Sequence, residues 1–397
     1  MYAQTRQAPA PYKGLYITFV NTQTYHDQLL ASGGMLGLED APGFWFKTVP
    51  PDGVANLFDC FQDLVAQLEV PASIICDGFL TFAKTIQAAE KLNVPIFLFW
   101  PMAACGFMGC YQVKVLTDKE ILPLKDEIYL TNGYLEKEID WIPGMEGIRL
   151  KDLPEFKNAT KHAMVLITTT WKTLEWSLRI TGKETNDNRH SLWKEEPECV
   201  EWLNSKEPNS VVYVNFGSLA VMSVQDLVEF GWGLVNSNCY FLWIIRPNLA
   251  DGKPMVMPQE LEVAMKEKGF VGGWCSQEEV LDHQAVGGFL THCGWGSIME
   301  SLSAGVPMLG WPCLGEQGIN CWQMRKQWQV GMEVGKDVKR DKVEKLVRML
   351  MDGPDGERMR NKALVWKKTA EMATGSNGSS CLDVEKLTNE IIKLSRN

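Results

Sequence analysis

Two rhythms of hydrophobic positions alternate along the chain. Short apolar runs rich in β-formers recur at Leu15–Val20 (ending at Asn21-Thr22), Ala72–Cys76 (closing on Asp77-Gly78) and Pro95–Trp100. Others follow at Met164–Thr169, Val211–Phe216, Phe241–Ile245, Phe270–Gly273 and Val286–Thr291. They lack strict polar alternation, the mark of strands buried on both faces. Between them lie segments with helical spacing: Tyr25–Ala31, Asn56–Leu68, Phe79–Leu92, Ala103–Leu116, and helices beginning at Leu174 and Val224. Cys321–Val330, Val338–Asp352 and the amphipathic Leu382–Arg396 continue the pattern. Tyr129–Asp152 carries Pro and Gly without a period and reads as an irregular surface segment, and Met1–Lys13 shows neither rhythm. Strand and helix in alternation predict an α/β chain with mostly parallel sheets covered on both faces.

The polar run Thr181–His190 interrupts this alternation and is the candidate linker. With 397 residues, 45% of them hydrophobic, the chain is long enough for two domains with their own cores. The expected division is a first domain over 1–180, a linker over 181–190 and a second domain over 191–380, with a terminal helix over 381–397. Two doubly wound domains facing each other would bind substrates at the carboxyl ends of their strands. A formal charge of -10 argues against nucleic acid or an anionic membrane as partner. The eleven cysteines form no CxxC pair, and Cys76, Cys105 and Cys239 sit in apolar runs as reduced thiols do. No signal-peptide core is present, and no apolar run approaches the ~20 residues of a membrane span. The expectation is a soluble cytoplasmic protein, monomeric by default.

The stretch from Trp274 to Gln317 is where chemistry concentrates. A loop and short helix lead into the Val286–Thr291 strand, followed at once by the turn His292-Cys293-Gly294-Trp295-Gly296. Ser297 and Glu300 have capping-box spacing, Gly305 sits where a helix stops, and Val306-Pro307-Met308-Leu309 begins another strand. A strand feeding a glycine turn and a helix N-terminus offers backbone N–H groups to an anion. His292 and Ser297 flank that turn and can reach phosphate oxygens. Trp274 offers a flat face for a base, although a lone Trp more often packs; Glu300 and Gln317 offer hydroxyl-binding groups. Together they describe a site for a nucleotide diphosphate carrying a sugar. His283, His292, Cys275 and Cys293 match no zinc spacing, and no Gly-x-Gly-x-x-Gly fingerprint follows a strand as a nucleotide-sugar epimerase would require.

The same stretch resembles, from end to end, the signature box of the plant secondary-product glycosyltransferases, which use UDP-sugars. LWKEEPECVEWLNSKEPNSVVYVNFGS and DWIPGMEGIRLKDLPEF resemble the branch that glucosylates iridoids, terpenoids and cyanohydrins. The likeness implies a GT-B fold of two facing Rossmann-like domains, with the last helix crossing back to the first. It implies an inverting, metal-independent reaction with UDP-glucose as donor substrate, no cofactor, and a small lipophilic acceptor. It places Trp274 on the uracil, with the Cys275 backbone and Gln277 on uracil and ribose and Glu300 on the ribose hydroxyls. His292, Ser297, Ser218 and the backbone of Gly294, Trp295 and Gly296 would hold the phosphates, and Glu316 with Gln317 the sugar. Two positions depart from the family: Gly296 replaces a usual Asn, removing a phosphate ligand worth ~1–2 kcal/mol. Glu316 stands where Asp is common. Several loops are shorter than the family's.

Transfer to an alcohol needs a base to take the hydroxyl proton, a contribution of ~10²–10⁴ in rate. The family uses a His after its first strand, oriented by an Asp. Asp77 matches that Asp; the His has no counterpart, since only MYAQTRQAPAPYKG precedes the Leu15 strand. His26, His162 and His190 fall elsewhere. The expectation is a first domain without its opening strand, rearranged to close a gap of about 4.8 Å per missing strand. Two functional expectations follow: a working UDP-glucosyltransferase, or an impaired paralogue that binds UDP-sugar without turnover.

Overall fold

A computed structural model of the chain describes residues 15–32, 43–50, 57–67, 73–77, 82–122, 124–154, 196–218, 220–246, 249 and 257–395. The expected strand Met164–Thr169, the helix from Leu174, the linker Thr181–His190, and His162 and His190 lie outside the described residues. Contacts divide the described chain into two compact units: residues 15–99 with 376–395, and residues 100–154 with 196–375.

In the first unit, β1 (Ile17–Thr22) pairs in parallel with β2 (Phe44–Val49), and β3 (Ile74–Asp77) with β4 (Ile96–Phe99). The helices Gln23–Ser32, Leu57–Ala66 and Phe82–Leu92 accompany them. β2, FWFKTV, is a strand the hydrophobic pattern did not single out; its aromatics interlock with those of β1, Phe19 lying 5.7 Å from Phe46 and Tyr16 5.4 Å from Trp45. A small core of Val65, Ile74 and Ala89 is lined by Cys76, Leu92, Val94 and Ile96. The terminal helix Ser379–Ser395 groups with this unit.

The second unit also holds a short antiparallel pair, β5 (Glu138–Ile139) with β6 (Ile148–Arg149). Its main sheet is built from β7 (Val211–Asn215), β8 (Tyr240–Ile244), β9 (Gly269–Gly272), β10 (Val286–Thr291), β11 (Met308–Gly310) and β12 (Gly331–Glu333). All pair in parallel in the order β12-β11-β10-β7-β8-β9. Every residue of β7 and β10 is buried, as their unbroken apolar runs require. Strand pleating sends Val212 and Val214 to one core with Phe241 and Trp243, and Val211 and Tyr213 to the opposite core with Leu242 and Ile244. The helix Val224–Asn236 is capped by Ser223, whose hydroxyl accepts from the Asp226 N–H at 3.0 Å. It is clamped to the helix Arg340–Met351 by Glu229, which accepts from the Arg340 backbone at 2.7 Å and its guanidinium at 2.5 Å. From β7 the chain builds outward through β8 and β9, then returns to the other side of β7 at β10. The carboxyl ends of β7 and β10 therefore form the topological switch point, where α/β sheets bind ligands.

Three expectations need correction here. Tyr129–Asp152 is irregular and exposed or half-buried over most of its length, as expected, but it is not only surface: Ile139, Ile142, Met145 and Ile148 are at most 2% exposed and share a core with Leu116, Leu153, Ile319 and Trp322. Its turns are short 3-10 pieces and left-handed glycines (Gly144, Gly147), which bury side chains without any period. Ala103–Leu116 is two helices, Ala104–Tyr111 and Val113–Asp118, meeting at Gln112. The helix placed at Cys321–Val330 begins earlier, as Gln317–Trp322, and runs on through Gln323–Gln327. The 21-residue helix Pro354–Thr374 and strand β12 were not anticipated.

Candidate active site

β7 and β10 end side by side, Asn215 opposite Thr291, and each feeds a tight turn. After β10, Cys293 adopts φ +63°, a left-handed conformation that costs a non-glycine residue energy. It is held there because its N–H donates to the Thr291 hydroxyl at 3.3 Å and its carbonyl accepts from Asn320 Nδ2 at 3.1 Å. Gly294 then caps the helix Trp295–Ala304. A Cβ on Gly294 would lie 2.4 Å from His292 Nε2, so only glycine lets the backbone pass the imidazole. The first helical bond is Ile298 N–H to Gly294 C=O at 3.0 Å. Gly296 and Ser297, earlier in that first turn, have no helical acceptor and aim their N–H groups out of the positive helix end.

The capping box is a further correction. Gly294, not Ser297, is the N-cap, and Ser297 and Glu300 lie inside the helix. The helix starts three residues earlier than the spacing implies because a glycine turn needs no side-chain cap. The i, i+3 relation instead puts Ser297 and Glu300 on one helix face, where both meet Gln277. The Gln277 amide nitrogen donates to Ser297 Oγ at 2.9 Å and to Glu300 Oε2 at 2.5 Å. Its amide oxygen accepts from Asn215 Nδ2 at 3.0 Å and the Tyr213 hydroxyl at 3.4 Å. Asn215 Oδ1 in turn accepts from the Gly217 N–H at 2.8 Å. Three segments are thus tied through one amide.

Tyr213 and Asn215 were not singled out as site residues. Their signal was available: two polar groups at i and i+2 fall on the same face of an otherwise apolar strand. Cys275 is 2% exposed with its thiol 3.7 Å from the Tyr213 hydroxyl. Trp274 is half-buried against the core on this face of the sheet. Its carbonyl accepts from the Glu196 N–H at 2.9 Å, while Glu196 Oε2 accepts from the Gly273 N–H at 3.0 Å.

Gly217, at φ +69°, presses on the ring of His292; a Cβ there would lie 2.5 Å from Cε1 and Nε2. Burial pushes the His292 imidazole down to about 4, with the Arg246 charge adding to the effect and the Asn215 backbone opposing it. The ring is neutral at pH 7, and its Nδ1 is sealed from solvent without a partner. Ser218 is exposed in the turn beside it. Trp295 stacks obliquely 6.0 Å from Trp328, and Gly296 is exposed.

Glu316 caps the helix Gln317–Trp322 and packs on Gly106, where a Cβ would lie 2.9 Å from its Cγ. Burial raises its carboxyl pKa, against the pull of hydrogen bonds from its own backbone and from Asn320. Gln317 is 8% exposed, and its amide oxygen already accepts from the Cys313 and Leu314 N–H groups at 2.8 and 2.9 Å. Only its NH₂ remains to donate. Asp77 ends β3 in the first unit, and its side chain lies outside the described residues. His26 lies in the helix Gln23–Ser32, 5.9 Å from Phe46. His283 serves locally, bonding Asn204 Oδ1 at 3.1 Å and the Ala285 N–H at 3.2 Å.

A doubly wound parallel sheet with a glycine turn and a helix N-terminus at its switch point is the architecture of the GT-B glycosyltransferases. Comparison with known proteins agrees. Residues 158–361 match the family described as UDP-glucoronosyl and UDP-glucosyl transferase. UDP-glycosyltransferase 85C1 of Stevia rebaudiana is 65% identical over 446 aligned positions, covering 97% of this chain and 92% of that protein. The 7-deoxyloganetin glucosyltransferase of Gardenia jasminoides is 43% identical (96% and 92% covered), and the (R)-mandelonitrile beta-glucosyltransferase of Prunus dulcis 41% (96% and 92%). Among solved structures, a UDP-glucose: anthocyanidin 3-O-glucosyltransferase in complex with UDP superimposes with a TM-score of 0.76 at 23% identity, covering 96% of this chain and 93% of that one. The chain belongs to the UDP-glucuronosyl and UDP-glucosyl transferase family and is a glycosyltransferase enzyme. No helix among the described residues is long and apolar enough to cross a membrane.

Proposed function

We propose that the chain transfers glucose from UDP-glucose, with inversion and without a metal, to a hydroxyl or carboxyl of a small lipophilic acceptor of terpenoid, iridoid or phenolic type. The observation that carries the donor half is the Gln277 amide holding Ser297 and Glu300 beside the Gly294 turn. Trp274 stacks on uracil. The Cys275 backbone and Gln277 contact uracil and ribose, and Glu300 accepts the ribose hydroxyls. His292, Ser218, Ser297 and the N–H groups of Gly294, Trp295 and Gly296 hold the diphosphate; Glu316 and the free amide protons of Gln317 hold the sugar. The acceptor oxygen attacks the anomeric carbon, the bond to the β-phosphate breaks, and UDP leaves with its new charge facing the positive helix end. The acceptor's proton passes to the Asp77 carboxylate, the catalytic group proposed on the acceptor side where the family's histidine has no counterpart. An ionised carboxylate acceptor needs no such transfer. The names of the relatives support the acceptor class.

The domain roles proposed are acceptor-binding over 1–180, a linker over 181–190, UDP-sugar-binding over 191–380 and a terminal helix over 381–397, although residues 100–154 pack in one compact unit with 196–375. The enzyme works as a cytoplasmic monomer. Incubation of the full chain with UDP-glucose and a panel of terpenoid, cyanohydrin and phenolic acceptors tests the reading, with glucoside formation as the expected result. UDP binding without product from any acceptor would mark an impaired paralogue instead.

A further inference from the structure

Arg246 stands two residues beyond β8 and is 5% exposed. Its Nε donates to the Gly217 carbonyl at 2.9 Å and its Nη2 to the Ala220 carbonyl. Two neutral acceptors satisfy hydrogen bonds without cancelling the charge. Arg149 and Arg340, by contrast, are matched by acids: Arg149 by Asp152 and Glu333 at 2.7 and 2.9 Å, Arg340 by Glu229. Among the described residues no carboxylate comes within ion-pair distance of Arg246, and burial lowers its pKa with no acid opposing. A buried cation without a counter-charge is expensive, and the expense falls when an anion binds nearby.

The proposed diphosphate site is close by. Arg246 holds the carbonyl of Gly217, Gly217 presses on the ring of His292, and the Arg246 charge is felt at that imidazole. In a dry interior such a field reaches across several ångströms.

We propose that Arg246 is a further donor-binding residue, whose buried charge awaits the diphosphate of the UDP-sugar and holds the Gly217 turn against it. The charge acts through space, so Arg246 positions and attracts the diphosphate without touching the sugar. As the glycosidic bond breaks, the electron pair goes to the β-phosphate, and the same field stabilises the departing UDP. The inference rests on the donor-site reading above.

Calorimetric titration of the full chain with UDP and with uridine tests it, comparing the unaltered protein with Arg246→Gln and Arg246→Lys. Arg246→Gln should weaken UDP about tenfold while leaving uridine within about twofold, since only UDP carries the charge. Arg246→Lys should keep UDP within about threefold. Equal UDP affinity in Arg246→Gln overturns the proposal, as does a parallel loss of uridine, which would mark a structural role. If the Gln variant does not fold, the Lys variant decides. Retained UDP affinity with a lowered melting temperature supports the charge, and a joint loss of UDP and uridine affinity overturns it. Failure of the unaltered protein to bind UDP sinks the donor reading itself, and the role of Arg246 with it.

Discussion

At the residue scale the site depends on one side-chain amide with no freedom to turn. The Gln277 oxygen faces two donors, Asn215 and Tyr213, and its nitrogen faces two acceptors, Ser297 and Glu300. A flipped amide would set like against like at Asn215 and Glu300, since only the two hydroxyls can exchange donor and acceptor roles. Gln277→Ala should therefore strand several buried polar groups and weaken UDP about tenfold or more, which titration calorimetry would read. Gly296 offers the opposite experiment. A Cβ there meets only Glu300 Oε1, at 3.8 Å, so Gly296→Asn fits and adds an amide at the helix end. UDP should bind tighter by about 1 kcal/mol, several-fold in affinity. His292 carries a pH signature. Its folded pKa, about 4, lies below the usual 6.5, so below pH 6.5 the unfolded chain takes up a proton that the folded protein does not. Stability is full above pH 6.5 and declines as pH falls toward about 4. Melting temperature against pH should show that decline in the unliganded protein, and His292→Gln should flatten it.

At the scale of elements, readability followed burial geometry. β10 was placed residue for residue because a strand buried on both faces leaves an uninterrupted apolar run between turn residues. Gly305 was placed as a helix stop, and it adopts φ +78°. The start of that helix was misplaced because Ser-x-x-Glu marks both a cap and an internal pair facing one way. Tyr129–Asp152 escaped because its order comes from distant partners, such as Glu333 accepting from Arg149, 184 positions earlier. The close approach of the helices Ala104–Tyr111 and Gln317–Trp322 was equally invisible. It depends on Gly106 and Gly109, where added Cβ atoms would collide with Glu316 and Ile319. Gly106→Ala should displace the Glu316 side chain and not the turn at Gly294. We expect sugar transfer to slow severalfold with UDP affinity unchanged, a contrast that steady-state kinetics beside calorimetry would show.

For the whole molecule, the second unit was far easier to read than the first. Its six-stranded sheet is wrapped on both faces by closed cores, so pattern and structure coincide. Among the described residues the first unit has two separate strand pairs, and Tyr16, Ile17, Phe19, Trp45 and Ile75 are each more than 40% exposed. With burial so incomplete, hydrophobicity alone cannot announce which runs are strands, and β2 passed unnoticed. The 446 aligned positions exceed the 397 residues of the chain, so the Stevia relative carries internal segments missing here. Every proposed donor residue lies in the second unit, from Ser218 to Gln317. UDP should then slow amide hydrogen exchange at the end of β7, in the Trp274–Gln277 loop and along His292–Glu300, by mass action on the local opening of those segments. Exchange in β1 and β2 should not change. Mass-spectrometric exchange with and without UDP reads both units at once. Protection confined to the donor segments fits a nucleotide held by one unit alone, whereas equal protection of β1 and β2 would mean that UDP binding reorganises both units and would remove that assignment.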